Sequence, residues 1–148
     1  MKTFFTADLH FGHKNIIKHF KRPFLSVEDM DDTLVDNWNS VVSKGDFVYI
    51  CGDVGMCRPE KLLNILCRLN GEKHLIFGNH DENIRKNQNL LNVFSSAKDY
   101  AMIKVQDSDA HDGYQRVVLF HYPITVWDRA HYGVWHLHGH NHGTLKED

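Results

Sequence analysis

The chain has 148 residues, a formal charge of −2, 42% apolar and 24% charged residues, the composition of an ordinary globular protein. That length suits one sizeable core and a single domain over residues 1–148. The charge excludes the strong electrostatic grip that long nucleic acid demands, while a nucleotide or short nucleic acid stays open as partner.

Residues 2–7 read as a first strand. Asp8 interrupts the apolar start too soon for a signal peptide. No apolar run approaches the roughly 18–20 residues of a membrane span, so a cytoplasmic protein without membrane association is expected. Residues 15–20 suggest a short helix before Pro23. Ser26 reads as an N-cap, with Asp29 and Asp31 in the first turn where negative charge suits the helix dipole. Met30, Leu34, Val35, Trp38 and Val41 then recur at helical spacing, and Lys44-Gly45 marks the end.

Phe47-Val48-Tyr49-Ile50-Cys51 is a continuous apolar run of the kind a parallel strand shows when both its faces are buried. Pro59 stands where a helix begins; Leu62, Leu63, Ile65, Leu66 and Leu69 follow, and Asn70-Gly71 stops them. Residues 73–77 read as a third strand and 82–94 as a helix. Strand alternating with helix predicts βαβ units on a mainly parallel sheet. Residues 100–105 and 116–120 then read as a hairpin around a polar turn, and 134–137 as a last short strand. Three cysteines without paired metal spacing fit a reducing compartment, with Cys51 and Cys67 read as small core residues.

Five of the strand-like runs end in the same chemistry: Asp8-Leu9-His10, Gly52-Asp53, Gly78-Asn79-His80-Asp81, His121 and Gly139-His140-Asn141-His142. Carboxyl ends of strands are where open α/β sheets place their sites. In extended backbone, side chains two apart share a face, which would pair Asp8 with His10 and His140 with His142. With Asp53, Asn79 and His121 these make seven N/O ligands and no sulfur, more than one ion needs. A pair of divalent ions needs a bridging anion, for which Asp53 is the candidate, and such a donor set suits manganese, iron or zinc.

In this order, from residue 8 to residue 142, the motifs resemble those of calcineurin-like metallophosphoesterases of the small stand-alone type of bacteria and phages. The resemblance implies an α/β fold with a two-layer mixed β-sheet sandwich flanked by helices (α/β/β/α). It implies one metal held by Asp8, His10 and His142, another by Asn79, His121 and His140, and Asp53 bridging them. Mn²⁺ is the first expectation, Fe²⁺ or Zn²⁺ the next. His80 would sit beside the scissile phosphate as general acid or phosphate stabiliser, with Asp81 orienting its imidazole. The implied reaction is phosphoester hydrolysis by a metal-bridging hydroxide held in line with phosphorus.

The family's second motif usually continues Gly-Asp-x-x-Asp, often followed by Arg; here Met56 takes the second Asp's place and Arg58 lies two residues beyond. That departure from the protein-phosphatase pattern favours a phosphodiesterase over a phosphomonoesterase acting on nucleotides or small phosphates. A non-catalytic binding module on the same fold is the reading from another class. Related chains usually continue past the last motif, so the expectation is either a minimal form of the domain or one cut short at its C-terminus. His13, Arg58 and Asn79 are candidate substrate contacts. Lys14, Lys18, Lys21 and Arg22 form either a solvated face or an anion-guiding rim. Tyr122, Trp127 and Tyr132 are either packing residues or platforms for a base.

Overall fold

The computed structural model describes residues 1–145. Four short strands, β1 (Thr3–Thr6), β2 (Phe47–Ile50), β3 (Glu72–Ile76) and β4 (Ser96–Lys98), form a parallel sheet in the order β1-β2-β3-β4. Their connections carry α1 (Lys14–His19) and α2 (Val27–Val41), then α3 (Pro59–Arg68), then α4 (Glu82–Arg85) and α5 (Gln88–Leu91). The main core lies between this sheet and the helices: Val35 and Trp38 of α2 and Leu62, Ile65 and Leu66 of α3 pack with Val48, Ile50 and Leu75 of the strands. The helical stripes read from the sequence supply it, except that Val41 is exposed and Val42 is buried instead.

A second sheet packs on the other face of the first. In it β5 (Tyr100–Gln106) and β6 (Tyr114–Phe120) form the expected hairpin, and β7 (Trp135–Leu137) adds parallel to β6. Cys51, Ile76, Val117 and Leu119 are the buried centre of the inter-sheet core, with Phe5, Tyr49, Ile103 and Leu137 around them. This is the expected mixed α/β architecture of two sheets flanked by helices. On the second sheet's outer side the flanking layer is thin: the β6–β7 connection carries a 3₁₀ turn (Ala130–Tyr132), and its Trp127 ring lies 5.4 Å from that of His136. Among the described residues no helix is long and apolar enough to cross a membrane.

Several local expectations change. Ser26 caps α2 by accepting from the Asp29 N–H, and Pro59 opens α3, both as read. However, α2 ends at Val41, because Val42 turns into extended backbone to bury its side chain, and Gly45 plays no capping part. The single helix expected over 82–94 is two short ones, since the Asn87 side chain accepts from the Leu90 N–H and so starts a new helix. The edge strand β4 carried no apolar signal. Cys51 is buried and its thiol pushed up to about 12 by burial, whereas Cys67, expected in the core, is exposed on α3.

Candidate metal centre

The parallel strands of the first sheet end along one edge, and β6 and β7 end beside it. His121, just past β6, has its Nδ1 2.7 Å from the Cys51 carbonyl, just past β2. Across the interface, the His140 N–H donates to both oxygens of Asp8 at 3.0 and 3.1 Å. Glycines make this approach possible. A Cβ on Gly52 would lie 2.3 Å from the His121 ring, and one on Gly78 2.3 Å from an Asp53 oxygen.

Two clusters of donor atoms result. Asp8, His10 and His142 form one; Asp53, His121 and His140 form the other, and within each the ligand atoms all lie within 4.8 Å of one another. In the first, His10 Nε2 is 3.2 Å from His142 Nε2, which is 3.8 Å from Asp8 Oδ1. In the second, Asn79 Oδ1 lies 3.1 Å from His121 Nε2 and 3.0 Å from His140 Nδ1. Asp53 joins them: its Oδ2 is 3.7 Å from His10 Nε2 and 3.5 Å from His121 Nε2, while its Oδ1 accepts from the His80 N–H at 2.9 Å. Ligands held about 2.0–2.2 Å from a common ion lie roughly 3.0–4.4 Å apart, so these separations fit a metal in each cluster.

The chemistry of the donors points the same way. A carbonyl only accepts, so His121 Nδ1 carries a hydrogen and the neutral ring aims a lone pair from Nε2 at the centre. Burial drives His10 down to about 3, keeping it neutral, and burial also lowers His142, helped by the Arg22 cation against the pull of Asp8. His121 moves the other way. Burial opposes its charge, but hydrogen bonding to Asp53 and to the Cys51 carbonyl outweighs that and raises it. Asp53 is correspondingly lowered: burial resists, and the His121 and His80 hydrogen bonds prevail. Metal-free, a proton therefore sits most readily in the second cluster, where an ion would displace it.

The backbone at these positions is not the extended chain that the two-apart argument assumes. Asp8, His10, Asp53, His140 and His142 all have left-handed φ, between 48° and 74°. The strands stop before the ligands, and tight turns aim them. This is why His140 and His142, two apart, serve different clusters.

Asp81 needs a correction. Its carboxylate does not orient the His80 imidazole. One oxygen accepts from the Gly78 and Asp53 N–H groups at 2.7 and 2.9 Å, and the other from the Val54 N–H at 2.9 Å. It fastens the β2 and β3 loops together, and at 1% exposure it is out of reach of substrate. Burial raises its pKa against these three donors.

The His80 ring stands at the rim, 5.6 Å from that of His10 and 6.1 Å from that of His13. His13 Nδ1 is 3.2 Å from His10 Nδ1, so it buttresses a candidate ligand as well as lining the rim. Arg58 lines a cleft of about 550 Å³ shared with Met56, Asn79 and His80. His138 bonds the Gly139 carbonyl, outside both clusters. One residue was misjudged in the sequence. Arg22 does not join a basic face; it turns inward, donating to the Asp8 and Leu9 carbonyls at 2.7 and 2.9 Å. Only the arginine's place in the fold, beside the first motif's left-handed turn, reveals that role.

No family model matches the chain. The protein MJ1445 of Methanocaldococcus jannaschii, described as uncharacterized, is 35% identical over 143 residues, covering 95% of this chain and 69% of that protein. The Gene 66 protein of Mycobacterium phage L5 is 31% identical over 163 residues, 97% of this chain and 78% of the phage protein. Among solved structures, AQ665 of Aquifex aeolicus, described as of unknown function, matches with a TM-score of 0.64 at 28% identity, over 87% of this chain and 66% of that one. The phosphopantetheinyl hydrolase PptH of Mycobacterium tuberculosis is more distant, with a TM-score of 0.46 and 14% identity over 88% of this chain and 48% of that one. The chain thus spans about two thirds of the length of MJ1445 and of AQ665. With that identity over nearly its whole length, the chain belongs to the family of MJ1445 and the phage Gene 66 protein.

Proposed function

We propose that the protein is a dinuclear metal-dependent phosphoesterase of the calcineurin-like type, acting on phosphodiesters. The observation that carries this reading is the shared oxygen: Asp53 Oδ2 faces His10 Nε2 at 3.7 Å and His121 Nε2 at 3.5 Å, one from each cluster. Asn79 Oδ1 likewise faces two imidazole nitrogens of the second cluster. Acceptors converging in this way repel one another unless a proton or a metal cation lies between them, and one oxygen shared by two clusters suits a pair of cations.

Asp8, His10 and His142 would hold one ion and Asn79, His121 and His140 the other, with Asp53 between; Mn²⁺ is the first candidate, then Fe²⁺ or Zn²⁺. When bound, such ions supply Lewis-acid chemistry, activating water and neutralising charge on phosphoryl oxygens. The chain's own contributions follow from its geometry. The His80 main chain braces Asp53, leaving the ring free at the rim to donate a proton to the leaving oxygen. His13 backs His10 and faces His80. The cleft beside His80, with Arg58 and Asn79 in its wall, receives the group that leaves. Its open shape, and Met56 in place of a second Asp, favour a diester.

The test is hydrolysis of bis(4-nitrophenyl) phosphate beside 4-nitrophenyl phosphate, using metal-stripped protein and adding back Mn²⁺, Fe²⁺ without oxygen, Zn²⁺ or Mg²⁺. Metal-dependent turnover favouring the diester is expected. Preference for the monoester would select the phosphomonoesterase instead. Two bound ions and no turnover of either would leave the binding module. His80→Ala should keep both ions and lose about 10²–10⁴-fold in turnover; an unchanged rate would remove His80 from the reaction.

A further inference from the structure

One stretch of the sequence, Lys14 to Lys21, plays no part in holding the candidate ions, yet the structure lays it along the centre's edge. At one end His13, which immediately precedes α1, lies 3.2 Å from His10. At the other, the Phe20 ring lies flat on His142, centroids 3.8 Å apart and planes 10° from parallel. The segment thus runs from one candidate ligand of the first cluster to another.

Its outward surface is positive. Lys14, Lys18 and Lys21 are exposed, and α1 has no acidic residue in its first turn. Lys14 and Lys18 are four apart and share a helical face, about 6 Å apart along the axis. Among the described residues, the ion pairs of lysine and arginine lie elsewhere, on Lys61, Arg68, Arg85, Lys86 and Arg116. Phe20 is 41% exposed. An exposed phenylalanine is unremarkable by itself. This one follows Lys18 and precedes Lys21 in the chain, and it stays partly exposed while its ring stacks on a candidate ligand.

We infer that this lip is a subsite for single-stranded nucleic acid, with phosphates flanking the scissile one on Lys14, Lys18 and Lys21 and a base stacked on Phe20. The inference rests on the phosphodiesterase reading and narrows its substrate class. Inorganic polyphosphate would engage the lysines but has no use for the ring. Cations tracking a backbone beside an aromatic platform are the general means of binding single strands. The chain's net charge of −2 restricts the grip to a short segment at this lip.

The experiment measures binding of a fluorescein-labelled phosphorothioate hexathymidylate to Mn²⁺-loaded protein by anisotropy, across a range of salt. An abasic hexanucleotide of the same charge is the comparison. For three lysine–phosphate contacts, log K should fall against log salt with a slope of about −2. The triple variant Lys14→Ala, Lys18→Ala, Lys21→Ala should bind about tenfold or more weakly, with a slope near zero. Wild type should prefer the thymidylate over the abasic strand by at least about fivefold. Phe20→Leu should abolish that preference and Phe20→Trp restore it, with two bound ions confirmed in each variant. No binding by wild type, or equal binding by the triple variant, overturns the inference. If bis(4-nitrophenyl) phosphate is turned over and the strand does not bind, the subsite falls and the phosphodiesterase reading stands. If the strand binds as described and no diester is hydrolysed with any metal, the subsite stands and the catalytic reading falls.

Discussion

Replacing Arg22 with methionine tests whether the first cluster is held in shape from behind. Arg22 is half-buried and donates to two successive carbonyls, Asp8 at 2.7 Å and Leu9 at 2.9 Å. These carbonyls border Asp8 and His10, whose φ values of 54° and 55° are ones that side-chain-bearing residues adopt reluctantly. A hydrogen bond from a charged donor contributes roughly 1.5–3 kcal/mol. Because the guanidinium is only half-buried, one such contribution is a fair figure for the pair. If the turn relaxes on its loss, affinity for the first ion falls by that amount, about 10- to 150-fold. Binding at the second cluster, for which Asn79, His121 and His140 are the candidate ligands, should weaken less than about threefold. Arg22→Lys keeps the charge but lacks the fork that reaches both carbonyls, so it should recover only part of the loss. Calorimetric titration of metal-stripped protein with Mn²⁺ resolves the two sites, and a thermal melt shows that each variant is folded. Two ions bound with wild-type affinities by folded Arg22→Met would refute the reasoning.

Two further outcomes follow from the same geometry. Asp81→Asn sets an amide donor against the N–H groups of Gly78, Asp53 or Val54. It should lower stability by about 1.5–3 kcal/mol even without metal, visible as a reduced denaturation midpoint; an unchanged midpoint would mean the carboxylate is not fastening the loops. Acid should also destabilise the metal-free protein. His10, His13, His74, His136 and His142 all lie below their ordinary value because of burial, His10 at about 3, while His121 alone among the shifted histidines is raised. A depressed histidine binds its proton more readily unfolded, so its contribution is present above about 6.5 and is lost as pH falls toward the folded value. The slope is at most about 1.4 kcal/mol per pH unit for His10. His10→Gln should flatten the fall in stability between pH 6.5 and 4.5 measured by urea denaturation, and an unaltered pH profile would count against the assignment.

Much of the site could be read in the sequence because its parts sit at strand ends, where short apolar runs hand over abruptly to polar residues. Phe47 to Asp53 shows this best: β2 is unmistakable, and so is the carboxylate after it. Ser26 and Pro59 were legible because capping is local chemistry. What remained hidden depends on distant partners. Arg22 and Asp81 act on backbone groups of other turns, and nothing in their neighbours announces it. The separation of His140 and His142 into different clusters was legible only through the family resemblance, because the two-apart pattern pairs them and does not encode their left-handed backbone. Cys67 fell on the wrong face because a small thiol carries little weight in a helical pattern, whereas Cys51, directly after β2 and buried between the sheets, carried the signal of the apolar run it ends.

The left-handed turns have an evolutionary consequence. Left-handed backbone is costly for any residue that carries a Cβ, yet His10, His140 and His142 all occupy it. Glycine would relieve strain on the order of 1–3 kcal/mol at each position. Only a use for the imidazole opposes that exchange. A lineage without a working metal centre should therefore drift at these three positions before its core changes, and toward glycine rather than at random. Whether a relative retains histidine there becomes a record of whether its centre is still in use.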